Sequence, residues 1–179
     1  LNGADVLSSG RAVAFETSVT LGGASTVTSN GGDITFRGSV NRGSSVAIGD
    51  ASLTIDGDSG VVSLAAVGSD ARALGDLSIS AQSIAFAADI VAGTQAYAAA
   101  SYSIVPASGL SFAAPNGAVS FAAPGRRTLA GGVLSMTAAG NLELPTIIGV
   151  GSISADAGGL IRAERGIGAL PGSAVVAVD

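Results

Sequence analysis

The 179-residue chain contains no cysteine, no histidine, no lysine and no tryptophan. Without cysteine it has neither disulfide staples nor thiol chemistry. Without histidine it lacks the commonest general base and a frequent metal ligand, so its many serines cannot complete a serine, histidine and acid triad. Charge is scarce too, at 12% of residues against about a quarter in an average soluble domain. A net charge of -5 argues against a general nucleic-acid binder, which needs a basic field to displace counterions from phosphate. Aromatics make up only 4%, so the core has to come from many thin aliphatic layers. No run reads as a membrane span, because the most apolar tract, residues 84–100, is broken by Asp89 and Gln95. No signal-peptide pattern is visible, and the opening at Leu1 is read as that of a processed or excised piece of something longer.

What the chain does have is Gly, Ala, Ser and an apolar period of two. Alternating triplets recur throughout, as in Val19-Thr20-Leu21, Ile34-Thr35-Phe36, Leu53-Thr54-Ile55, Leu77-Ser78-Ile79, Tyr102-Ser103-Ile104, Val119-Ser120-Phe121 and Leu134-Ser135-Met136. That is the pattern of short strands with one buried face. Taking first strands near residues 19, 46, 77, 102, 134 and 160 gives coils of roughly thirty residues. The fold expected is therefore all-β: a right-handed parallel β-helix with three short strands per coil and about six coils, forming one solenoid segment over residues 1–179. A helical alternative fails because Gly and Ser interrupt every window long enough for an amphipathic helix.

On that spacing one interior ladder is expected to hold Leu21, Ile48, Ile79, Ile104 and Met136, and a second Ile55, Phe86, Phe112 and Leu144. A third holds Phe36, Leu64 and Phe121. Tight corners are expected at Asn30-Gly31-Gly32, Asp56-Gly57-Asp58 and Pro115-Asn116-Gly117, where Asn and Gly tolerate left-handed backbone. The register of residues 1–18 is left open. The apolar stretch from Ala174 to Val178 reads as a strand with a free edge, which invites end-to-end stacking on another copy or on further coils.

The stretch SNGGDITFRGSVNRGSSVAIGDASLTIDGDSGVVSLAAVGSDARALGDLSISA, residues 29–81, resembles the strand repeats of large bacterial surface adhesins of the filamentous haemagglutinin and autotransporter type. The likeness lies in a Gly-Asp turn, an apolar-x-Phe strand, a spacer ending in Val and Leu-x-Ile strands. It implies an exported, extracellular or cell-surface module that serves as a stalk or adhesive filament without being an enzyme. The partners it implies are surface glycans, host receptors, further repeats of the same kind, and an outer-membrane transporter during export. A self-assembling filament subunit and a β-helical enzyme acting on polysaccharide are the alternatives.

Chemistry-bearing residues are few. Glu16, Glu143 and Glu164 fall in unrelated settings, and no cofactor is implied. Asp50, Asp56 and Asp58 form the densest acidic group, but without the repeated spacing of calcium-binding solenoids they read as turn aspartates rather than a metal site. Arg42, Arg72, Arg126 and Arg127 fall in loops after third strands, where stacking would align them as a stripe able to grip anionic glycans or a neighbouring molecule.

Overall fold

The computed structural model describes residues 1–105, 109–122, 128–130, 133–144, 146–148, 152–163, 167–168 and 176–178. Strand accounts for 56% of the chain and helix for 2%, and every named strand pairing is parallel, so the molecule is a β-solenoid of at least six turns. Three strand positions make up each coil. The first coil, whose register the sequence left open, consists of Asp5–Leu7, Val13–Phe15 and Val19–Leu21. Each then stacks on its counterpart one coil later: Ser25–Thr28, Ile34–Phe36 and Val40–Arg42.

The coils are shorter than the sequence spacing suggested. On the first face the inward column runs Val6, Val27, Ile55, Ile79, Tyr97 and Phe121, with steps of 21, 28, 24, 18 and 24 residues. The expected ladders therefore drift from face to face along the chain. Ile79 stacks on Ile55 and Tyr97 rather than on Ile48 and Ile104. Phe86 lies between Leu64 and Ile104, and Met136 follows Phe112. Of the third ladder the Phe36 and Leu64 step holds, whereas Phe121 belongs to the first face. The triplet Val46-Ala47-Ile48 is no strand, because Ile48–Asp50 turns into a short 3-10 helix.

Two long strands explain why triplets miscount coils. Leu74–Phe86 joins the first and second faces without interruption, and Ile90–Ile104 the third, first and second, the two pairing together from Leu74 to Phe86 and from Ala92 to Ile104. Triplets 77–79 and 84–86 are thus two faces of one strand. Corners at Asn30 and Asp58 do use left-handed backbone, with φ of 49° at each. Pro115-Asn116-Gly117 belongs to a different corner, the one that leads from the third face to the first.

That third-to-first corner is the tightest place in the fold. Two residues before the first-face column Ser25, Leu53, Leu77, Gln95, Val119, Leu142 and Ile161 stand Gly23, Ala51, Gly75, Gly93, Gly117, Gly140 and Gly159. A Cβ on Gly93 would lie 2.6 Å from the Gly75 carbonyl oxygen, and one on Gly75 would lie 2.5 Å from that of Ile48. Coils stack at about 4.8 Å, so at Gly75 and Gly93 a side chain pointing along the axis would collide with the backbone of the coil before it.

The interior is a column of aliphatic layers interrupted by the stacked pair Phe15 and Phe36 and, further along, by a larger aromatic cluster. Phe86, Tyr97, Phe112 and Phe121 are fully buried, and their ring centroids lie 4.9 to 5.8 Å apart. These are mostly the edge-to-face contacts that aromatic quadrupoles favour. Within this cluster a polar residue breaks an apolar column: Gln95 follows Leu53 and Leu77 and precedes Val119. Its amide donates to the Ala113 carbonyl at 2.7 Å, and its Oε1 accepts the Tyr97 hydroxyl at 2.8 Å. Tyr102 supports the same level, its hydroxyl accepting from the Ala99 N–H and donating to the Tyr97 carbonyl, both at 3.0 Å. Burial, and then the neighbouring Tyr102, hold the Tyr97 phenol well above its ordinary range, so it remains a donor.

The glycine corner gives a direct expectation. Gly93→Val should destabilise the chain by about 1 to 3 kcal/mol through overpacking. Gly49→Ala should be near neutral, because a Cβ there meets nothing within 4 Å. Chemical denaturation of the two variants checks the contrast.

Candidate functional site

Most corners are tight turns, but two excursions depart from the stack, residues 43–52 and 68–73. Insertions that leave a solenoid on one side are where such folds commonly place recognition. Arg42 holds this pair together. It ends the strand Val40–Arg42, is half-buried, and stacks on Leu21. Its Nε donates to the Ala73 carbonyl at 3.1 Å and its Nη2 to the Ala71 carbonyl at 3.2 Å, while Nη1 donates to the Val46 carbonyl. The guanidinium fork thus satisfies carbonyls from both loops, which a single ammonium could not do in the same geometry.

Of the expected arginine stripe, two members are described. Arg42 is turned onto backbone, and Arg72 is exposed on the second excursion. Arg126 and Arg127 lie outside the described residues. Arg37 pairs with Glu16 at 3.2 Å on the exposed surface, a contact worth little in water. The aspartates are also separated. Asp50 sits in the 3-10 turn before the first face, whereas Asp56 and Asp58 form the turn that leaves it, where the Asp56 carboxylate accepts the Asp58 N–H at 3.1 Å. No group of three or more His, Cys, Asp or Glu that could hold a metal occurs among the described residues.

Several polar side chains serve the next coil instead of a ligand. The Asp33 carboxylate accepts the Val61 N–H at 2.8 Å, that of Asp89 accepts the Ser111 N–H at 2.8 Å, and the Asn141 amide oxygen accepts the Leu160 N–H at 3.0 Å. Such clips satisfy donors that the ladder leaves open at corners. Sequence reading missed them because a clip depends on register, which the triplets misplace.

Two grooves flank the clamped excursions. One, of about 370 Å³, is lined by Asp70, Val91, Ala113, Pro115, Thr137 and Ala139 among others, and is largely apolar. The other, of about 310 Å³, follows the glycine corner and is lined by Ile48, Gly49, Gly75, Asp76, Gly93, Thr94 and Asn116. Neither was foreseen, since both arise where loops overhang faces whose register sets which residues meet. No protein-family profile matches the chain, and neither a curated protein nor a solved structure does.

Arg42→Ala should cost about 1.5 to 3 kcal/mol, the range for hydrogen bonds from a charged group. Arg42→Lys should recover only part of it, and Arg72→Ala should stay within about 0.5 kcal/mol of the parent. Denaturation midpoints of the three variants measure this.

Proposed function

We propose that the chain is a non-enzymatic structural and adhesive β-helical module of a secreted bacterial cell-surface protein, acting as a stalk or adhesive filament. The observation that carries the reading is the all-parallel stack of the described strands, with plain outer rows. Thr26, Thr54, Ser78, Ala96 and Ser120 follow one another outward on the first face, and Ala14, Thr35, Ser63, Ala85 and Ser103 on the second. Such rows extend a rod coil by coil without changing its surface, and stability grows with each added interface. Many corner polar groups are committed to neighbouring coils, which suits a scaffold more than a reaction centre. The adhesin-like repeats of residues 29–81 supply the surface setting.

Beads coated with the purified chain are expected to adhere to cultured epithelial cells several-fold more than albumin-coated beads. Equal adherence would contradict an adhesive role for this module.

A further inference from the structure

The groove along the glycine corner gathers three polar side chains, Asp76, Thr94 and Asn116, in one place. Asp76 and Thr94 are register partners on adjacent coils, so their side chains start about 4.8 Å apart along the axis. Asn116 enters from the next corner. None of these three side chains has a hydrogen-bond or ion-pair partner among the described residues, whereas Asp33, Asp89 and Asn141 are spent on backbone. The floor between them is bare main chain, because close stacking forbids a Cβ at Gly75 and Gly93. The 3-10 turn at Ile48 and Gly49, in the excursion that Arg42 clamps, closes one end.

We propose that this groove binds a neutral saccharide, with the Asp76 carboxylate, the Thr94 hydroxyl and the Asn116 amide as its hydrogen-bonding groups. A carboxylate only accepts, while a hydroxyl and an amide both donate and accept. The ligand must therefore offer several donors close to several acceptors, as the hydroxyls of a sugar ring do. An anion would meet the Asp76 charge at close range. A metal ion would want further carboxylates, and no such group stands here among the described residues. A bare glycine floor lets a ring approach the backbone closely, and about 310 Å³ is at the small end of ligand sites, suited to a short saccharide. The inference deepens the adhesive reading by naming a ligand class, and rests on it for biological role only.

Saturation-transfer NMR with the methyl glycosides of glucose, galactose, mannose and N-acetylglucosamine, each taken to tens of millimolar, tests it on the whole chain. At least one glycoside should bind saturably. Asp76→Ala should weaken binding about tenfold, Asn116→Ala several-fold, and Asp70→Ala in the neighbouring groove not at all. Absence of binding by every glycoside, or binding indifferent to both Asp76→Ala and Asn116→Ala, would overturn the proposal. Bead adherence without glycoside binding would sink the groove and leave the adhesive reading standing; glycoside binding without adherence would do the reverse.

Discussion

Everything in this molecule depends on one constraint: successive coils must approach to the spacing of hydrogen-bonded strands all the way round, including at the corners. On the faces the constraint is met by backbone pairing, which leaves side chains pointing in or out. At the corner before each first-face strand a side chain would point along the axis, and the chain places glycine or alanine there in coil after coil. Where the ladder leaves an N–H open, an aspartate or asparagine from the previous coil takes it, as Asp33 does for Val61. Tight stacking therefore sets the glycine content, the few charges that are fixed in place, and the bare floor of the groove beside Asp76.

The interior solves a second problem, which is to fill coils of unequal length. Steps between 18 and 28 residues follow one another on the first face. The shortest, from Ile79 to Tyr97, sits where the aromatic cluster is densest. Here Gln95, Tyr97 and Tyr102 are joined by buried hydrogen bonds. A buried polar set of this kind tolerates few alternative arrangements, because any slip leaves donors or acceptors unpaired in a dry interior. The longer coils place their extra residues in the excursions, and Arg42 ties these down by meeting carbonyls from both.

The alternating triplets made the fold class legible, since a period of two with Gly and Asn punctuation fits few architectures. Individual inward residues were also legible: Ile79, Phe86, Phe112 and Leu144 are all buried. Which of them stack on which was not, because triplet counting treats each strand as a coil position, while Leu74–Phe86 spans two faces and Ile90–Ile104 three. The candidate site suffered from the same gap. Arg42 was visible as a loop arginine, but its turn onto the Ala71 and Ala73 carbonyls depends on which loops become neighbours. Gln95 looked like a break in an apolar tract, and only the register that sets it beside Ala113 and Tyr97 gives it partners.

Cysteine pairing tests the short-coil register most directly, because the chain has no cysteine of its own. Ser78 lies outward beside Ala96 on the next coil, whereas the triplet spacing, with first strands near residues 77 and 102, would set it beside Ser103 instead. Mild oxidation of a Ser78→Cys, Ala96→Cys double variant should give a disulfide within the monomer, seen as a mobility shift on non-reducing gels, since adjacent strands bring Cα atoms within bridging range. A Ser78→Cys, Ser103→Cys variant should remain reduced. Cross-linking of the second pair and not the first would contradict the register and the account built on it.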